Sequence, residues 1–133
     1  MKNIQTSGKR KSAIARAVVR PGTGVFRVND VPIPKILPRL ARMKFEELLI
    51  IADDEKLKTI NIDVEVQGGG VTGQTDAARI ALTRAILKFL GKKRVIKAVR
   101  VYDKAMISGD KRRIESKHWG GKKARKRFQK SYR

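Results

Sequence analysis

Residues 104–133 constrain this chain more than any other segment, because they carry twelve Lys or Arg and only two Asp or Glu. From Ser116 onward there are eight basic residues, no acidic residue and almost no aliphatic side chain. A segment with so much like charge and so little apolar surface cannot bury a core of its own. We therefore predict two parts, a globular body over residues 1–107 and an extended basic tail over residues 108–133.

The whole chain is basic, and its composition excludes several kinds of protein. Its 133 residues have room for one domain, and 33 Lys and Arg against 12 Asp and Glu give a formal net charge of +21. A polyanionic partner would relieve the self-repulsion that this charge imposes on a compact state. There is no Cys, and His118 is the only histidine, so we expect no thiolate or imidazole metal site and no cofactor.

Neither a membrane span nor a secretion signal is indicated. The longest apolar run, Leu48–Ala52, has five residues, far fewer than the roughly twenty that cross a bilayer. Arg16 and Arg20 interrupt the apolar stretch that would have to follow the N-terminal charges of a signal peptide. We expect a cytoplasmic protein.

Two segments of the body have the alternation of apolar and polar side chains that is typical of strands, residues 13–20 and residues 59–66. The turn at 21–24 predicts that residues 25–28 return beside the first strand as a hairpin. In residues 59–66 the apolar side chains fall on one face and the polar ones on the other. One face of the sheet should therefore be exposed to water.

Three segments predict helices. In residues 75–90, apolar side chains from Ala78 to Phe89 recur at helical spacing, Asp76 suits the first turn and Gly91 suits the end. Prolines prevent a continuous helix over residues 32–38, but the helix formers of residues 43–52 predict a short one. Residues 93–104 fit either a strand or a helix, and we favour a helix. Together the elements predict an α+β fold, a small sheet with helices packed on one face.

The segment Gly68–Thr75 lies between a predicted strand and the long helix and reads G-x-x-x-x-G-Q-T. It differs from a phosphate-binding P-loop where Gln74 replaces the lysine that contacts the β- and γ-phosphates. A neutral amide cannot supply the charge that phosphoryl transfer requires, and His118 is the only candidate base for a serine, so we predict no enzyme. The glycines form either a plain tight turn or, as we favour, a loop that binds a nucleic-acid phosphate.

Four basic clusters recur along the chain: Lys9–Lys11, Lys92–Arg94, Lys111–Arg113 and Lys122–Arg127. One such cluster would be an ordinary solvated surface, but four in so basic a chain indicate nucleic-acid binding. Aromatic side chains lie among the tail cations and offer faces on which bases stack: His118, Trp119, Phe128 and Tyr132. The alternative for Trp119 and Phe128 is that they anchor the tail to the body.

The glycine segment Gly68–Gln74, together with Ala78–Arg79, Ala81 and Arg84–Ala85, resembles the signature of the small-subunit ribosomal protein nine family. Gly8–Ala17 is similar to the opening strand of that family, and many residues from 110 onward match its closing segment.

The resemblance thus covers essentially the whole chain. Gln129–Arg133 resembles the archaeal and eukaryotic form of the family's C-terminal tail. Ser116 and His118 depart from that form, which usually has Pro and Lys at those positions.

The resemblance implies the fold of the second domain of small-subunit ribosomal protein five. It also implies a structural role during translation in the head of the small ribosomal subunit, bound to rRNA and to neighbouring ribosomal proteins. In the family the tail threads through rRNA to the anticodon stem-loop of the P-site tRNA. Carried over to this chain, the tRNA-binding residues would be Lys130, Ser131, Tyr132 and Arg133.

The predicted rRNA-binding residues combine basic clusters, the glycine loop and the signature helix with the tail. They are Lys9, Arg10, Lys11, Arg16, Gly69, Gly70, Gln74, Arg79, Arg84, Arg112, Arg113, Lys117, Lys122, Lys123, Arg125, Lys126 and Arg127. Two alternatives stay open, a small-molecule kinase, because some kinases share the fold, and a free-standing RNA chaperone, because it would share the charge. Neither explains a cationic tail that finishes Ser-Tyr-Arg.

Overall fold

The computed structural model describes residues 4–132. The strands are β1 Ile4–Arg10, β2 Ala13–Pro21, β3 Phe26–Val28, β4 Val31–Pro32 and β5 Ile60–Gln67, and the helices are α1 Arg39–Ala52, α2 Val71–Leu90, α3 Lys93–Tyr102 and α4 Ala105–Ser108. Short 3₁₀ turns occupy Ile33–Lys35 and Glu55–Thr59. Beyond Gly109 the described chain contains no helix or strand, only an isolated bridge between Gly121 and Arg127. This architecture confirms the α+β prediction.

The sheet has the strand order β1-β2-β5-β3-β4 and is mixed. β2 is antiparallel to both β1 and β5, and β3 is parallel to β5 and antiparallel to β4. The predicted hairpin between residues 13–20 and 25–28 is therefore wrong. β5 pairs with β2 along its length, from the pair of Ile14 with Gln67 to the pair of Pro21 with Ile60, whereas β3 has only three residues. Pairing with β5 therefore satisfies far more of the backbone hydrogen-bonding groups of β2.

The alternation predicted for β2 and β5 is confirmed. Ala13, Ala15, Ala17 and Val19 of β2 are buried, and so are the four apolar residues of β5 that begin at Ile60. α2 packs across this face, over β1, β2 and β5. The polar positions between them point to the other face, which the helices leave open.

The long helix α2 begins at Val71, four residues before the predicted start at Thr75. Gly70 is its N-cap residue, and the backbone N–H of Gln74 donates to the Gly70 carbonyl at 2.9 Å. Because glycine has a low helix propensity, the sequence predicted that the loop continues to Gln74. In the structure, Gly73 and Gln74 already belong to α2. Asp76 therefore lies outside the first turn, contrary to the prediction, whereas Gly91, with a φ of 61°, ends the helix as predicted.

The two shorter helices are also confirmed. α1 begins at Arg39, directly after Pro38, and extends further toward the N-terminus than the predicted residues 43–52. α3 packs against α1 and α4 and buries Val95 and Val99. Within residues 4–132, no helix combines the length and the apolar composition that a membrane crossing requires.

β1 has no apolar alternation in its sequence, and it packs against α2 through a close contact at Gly8. A Cβ at this position would lie 2.3 Å from the Ala77 carbonyl oxygen and 2.6 Å from the Ala81 amide nitrogen of α2. Only a residue without a side chain lets the backbones of β1 and α2 approach this closely.

Replacement of Gly8 by alanine should therefore destabilise the body. Because the added methyl group would overlap backbone atoms rather than a flexible side chain, we expect Gly8→Ala to lower the free energy of unfolding by about 1–3 kcal/mol. Gly70→Ala is the matched control, since a Cβ there meets nothing within 4 Å. Urea denaturation of both variants measures the difference, and equal stabilities would contradict the proposed contact.

Candidate nucleic-acid interface

The open face of the sheet, which we call the open sheet face, carries cations from three strands: Lys9, Arg16, Arg20 and Arg27. Arg20 and Arg27 lie 3.8 Å and 3.6 Å from the Asp63 carboxylate. Arg16 is exposed, stands in register between Ser7 and Glu65, and forms no ion pair among residues 4–132. A hollow of about 470 Å³ follows this face beside Arg16.

A three-residue glycine loop, Gly68–Gly70, lies against the turn between β1 and β2. A Cβ on Gly68 would lie 2.9 Å from the Ser12 carbonyl oxygen, and Gly68 has a φ of 75°. The Gln74 amide Nε2 donates to the Gly68 carbonyl at 3.2 Å and closes the loop from the helix side. The structure thus brings Gly69, Gly70 and Gln74 to the same edge as Lys11, where the two glycines and Lys11 are exposed.

The two predicted RNA-binding arginines on α2 are engaged inside the body. Arg84 donates from Nη1 to the Ser7 carbonyl at 2.6 Å and from Nε to the Ile107 carbonyl at 2.9 Å. Arg79 donates from Nη2 to the Glu47 carboxylate at 2.6 Å and leaves only 14% of its side chain exposed. Their hydrogen bonds join α2 to β1, α1 and the end of α4.

A cluster of charged side chains fixes the start of the tail, and we call it the tail-root cluster: Arg10, Lys44, Asp76, Asp110 and Arg112. Arg10 Nη1 lies 2.9 Å from Asp110 Oδ2, and its Nε lies 3.7 Å from Asp76 Oδ2. Lys44 Nζ donates to Asp76 Oδ1 at 2.6 Å. These contacts join β1, α1 and α2 to the residues that follow α4.

Within this cluster, the Asp110 carboxylate is held by both hydrogen bonds and an ion pair. It accepts hydrogen bonds from Arg112 Nη2 at 2.7 Å and from the Arg112 backbone N–H at 2.8 Å. The Arg112 side chain, then its backbone N–H and the charge of Arg10, lower the pKa of Asp110 from its ordinary 3.8 to about 2. Next to it, Arg113 donates from Nη1 to the Lys11 carbonyl.

Further along, residues 119–128 form a bent segment that we call the tail loop. The bridge between Gly121 and Arg127 closes it, and Arg125 Nε donates to the Glu115 carboxylate at 2.9 Å. Gly121 is buried, and a Cβ there would lie 2.5 Å from the Lys126 carbonyl oxygen. The loop borders a groove of about 1190 Å³ whose lining includes Lys117, Lys123, Arg125, Lys126, Arg127 and Lys130.

The aromatic residues of the tail face solvent. Trp119 is 101% exposed and Tyr132 is 93% exposed, while Phe128 is 55% exposed. Trp119 therefore does not anchor the tail to the body. An unsupported indole in a cationic loop is available to stack on a base.

Most other predicted site residues are also exposed: Lys9, Lys11, Lys122, Arg113 and Ser131. Arg133 lies outside the described residues. Sequence reasoning missed Arg20 and Arg27 on the open sheet face. Arg20 could have been found, because it repeats the position of Arg16 at a spacing of four residues along one strand, which returns to the same face.

The α+β scaffold, its half-open sheet and its solvent-facing cations define a basic protein suited to a polyanionic partner. The family model for ribosomal protein S9/S16 matches residues 8–133. The chain is 47% identical over 133 residues to the small ribosomal subunit protein uS9 of Methanothrix thermoacetophila, with 100% of both chains covered. It is 45% identical to the uS9 protein of Desulfurococcus amylolyticus, with 100% of this chain and 94% of that protein covered.

A third relative, the uS9 protein of Halobacterium salinarum, is 42% identical over 128 residues, with 96% of this chain and 97% of that protein covered. The chain belongs to the ribosomal protein S9/S16 family. It therefore has a structural, non-enzymatic role in the small ribosomal subunit, as the resemblance implied.

The tail-root cluster predicts a defined acid sensitivity. Since the pKa of Asp110 is lowered from 3.8 to about 2, the folded state binds this proton less readily than the unfolded chain, and its stabilising contribution is complete only above pH 3.8. The difference in the free energy of unfolding between the wild type and Asp110→Asn should therefore narrow as the pH falls from 3.8 to about 2. Denaturant unfolding at several pH values tests this, and a constant difference would contradict it.

Proposed function

We propose that this chain binds rRNA in the head of the small ribosomal subunit and that residues 130–133 contact the P-site tRNA. The observation that supports this most directly is the tail, where exposed cations and a fully exposed Trp119 surround one groove. Cations neutralise phosphates, and aromatic rings stack on unpaired bases. Neighbouring ribosomal proteins of the head are the further partners that we propose.

The geometry divides the predicted RNA-binding residues into two groups. Arg10, Arg79 and Arg84 direct their guanidinium groups to carboxylates and carbonyls of the body, so we assign them to holding the scaffold. The exposed cations of the open sheet face and of the tail loop remain for phosphate contacts. This division differs from the sequence prediction, which treated all of these arginines alike.

On the body, we propose that RNA lies along the edge where Lys11 adjoins the glycine loop and along the open sheet face. Gly69 and Gly70 have no side chains to hold a phosphate away from the backbone. Lys9 and Arg16 stand on neighbouring strands of the open sheet face and supply positive charge there. Such contacts orient a protein on RNA without reading its sequence.

The tail-root cluster gives the tail a defined starting direction. Arg10 and Arg112 hold Asp110 in place beside β1, so the chain leaves the body at a fixed point. From there, the 22 residues 111–132 could span at most about 75–80 Å when fully extended. We propose that the tail loop anchors this segment on rRNA and that the last residues contact tRNA.

Removal of residues 130–133 tests the tRNA contact. Lys130 and Arg133 contribute charge and Tyr132 a stacking face, and nothing there suggests recognition of particular bases. We expect P-site tRNA affinity on reconstituted subunits to fall similarly for different tRNAs, while subunit assembly is unaffected. The slope of log affinity against log salt should flatten by up to about 1.4, using the single-strand coefficient.

Removal of residues 116–133 is the companion variant. It deletes eight cations, and the salt slope of rRNA binding should flatten by up to about 6 if each one contacts a phosphate. Unchanged tRNA affinity after the shorter deletion would contradict the tRNA contact. Unchanged rRNA affinity after the longer deletion would contradict the rRNA role of the tail.

Trp119 allows a separate test of base stacking. Trp119→Ala should weaken rRNA binding by about 1–3 kcal/mol, because one stacked base loses its aromatic face. Trp119→Phe is the matched control, since it keeps a ring at the same position and should retain most of the affinity. Filter binding with a fragment of the rRNA head measures both, and equal losses in the two variants would argue against stacking.

A further inference from the structure

Helix α3 carries a stripe of cations that the function proposed above does not use. Lys93, Arg94, Lys97 and Arg100 are all exposed, and α3 contains no acidic residue. Among residues 4–132, none of these four side chains forms an ion pair. We call these four residues the α3 stripe.

Three acidic side chains near α3 are engaged elsewhere. Asp54 forms an ion pair with Lys92, directly before the helix. Glu47 accepts a hydrogen bond from Arg79 at 2.6 Å, and Asp103 Oδ1 accepts one from the Ala105 backbone N–H at 2.8 Å. The positive charge of the α3 stripe is therefore not neutralised by the protein itself.

The apolar side of α3 is already occupied. Val95 and Val99 are 6% and 0% exposed and belong to the core, against α1 and α4. A basic amphipathic helix binds a membrane surface by burying its apolar face in lipid, and this helix has no such face to offer. The stripe thus faces solvent together with two apolar side chains of the same helix, Val101, which is 79% exposed, and the half-exposed Tyr102.

The spacing of the stripe suits an extended polyanion. Lys93, Lys97 and Arg100 follow one another at i, i+4 and i+7, so neighbouring side chains on this face start about 5–6 Å apart. A row of cations with no acidic residue between them matches a ligand with repeated negative charge, such as the phosphates of a nucleic-acid backbone. A protein partner would more often be matched by charges of both signs around an apolar centre.

The position of α3 separates this surface from the open sheet face. α2 covers one face of the sheet, α1 packs on α2, and α3 packs on α1. The α3 stripe therefore lies on the helical side of the molecule, whereas Lys9 and Arg16 lie on the uncovered side of the sheet.

We propose that the α3 stripe is a second RNA-binding surface, which takes the sugar–phosphate backbone of an RNA helix. The chain then holds two RNA segments at once, one on the helical side and one on the open sheet face and tail. This inference rests on the proposed RNA-binding function and extends it from one contact surface to two.

A capture experiment with the full chain tests the two surfaces separately. A fragment of the small-subunit rRNA head is immobilised and loaded with protein, and a fluorescent RNA duplex of about 20 base pairs is then added. The wild type should capture the duplex. Lys97→Gln/Arg100→Gln should lose this capture at physiological salt while its affinity for the immobilised fragment stays the same.

The matched control is Lys35→Gln/Arg39→Gln, which removes the same charge from two exposed cations outside the stripe. It should capture the duplex as the wild type does. For binding of the duplex, the slope of log affinity against log salt should flatten by about 1.8 in the α3 variant only. Circular dichroism melting should show equal stability of both variants, because all four substituted side chains are exposed.

Each contrary outcome has a definite meaning. Equal losses of capture in both variants would overturn the proposal, because capture of the duplex would then depend only on the net charge of the protein. If the wild type binds the immobilised fragment but captures no duplex, the second surface is wrong and the proposed function stands. If the wild type binds neither RNA, both are wrong.

Discussion

Like-charge repulsion is the constraint on which the rest of this structure depends. The chain has only twelve acidic residues to set against its 33 Lys and Arg, and the structure uses them mainly where elements meet. Asp76 joins α2 to α1 and β1, Glu47 joins α1 to α2, and Asp110 joins the tail to β1. A few other cations pair with the remaining acids, such as Arg20 and Arg27 with Asp63, but most of the Lys and Arg side chains within residues 4–132 form no ion pair. The basic surface is thus a consequence of the net charge of +21, which no placement of twelve acidic residues could neutralise.

The sequence predicted the elements whose residue pattern repeats locally. β2 and β5 alternate, and α2 has an apolar stripe, so each could be identified without knowledge of its neighbours. The strand-pairing partners could not be identified in this way. β2 pairs with β5 rather than with β3, because β5 offers a longer set of backbone hydrogen bonds. β1 has no pattern of its own, and its position depends on the absence of a side chain at Gly8 beneath α2.

For the candidate interface, too, the sequence predicted which segments are involved but not which contacts their side chains make. Clusters of Lys and Arg, together with the family resemblance, identify which segments are basic. They do not distinguish an arginine that faces solvent from one that holds the fold. Arg84 contacts the Ser7 carbonyl, 77 positions away, and Arg79 contacts Glu47, 32 positions away. Such distant partners are decided by tertiary packing, so only the structure separates the two kinds of arginine.

The internal arginines also link the surfaces to one another. Arg84 joins β1 to the last residues of α4, and α4 packs against both α2 and α3. The tail root, the edge strand of the open sheet face and the helix that carries the α3 stripe are thereby held to one rigid core. RNA segments bound at these places would have their relative positions set by the protein. A small protein could organise RNA in this way even where its phosphate contacts read no base sequence, because the fold fixes the spacing between its charged surfaces.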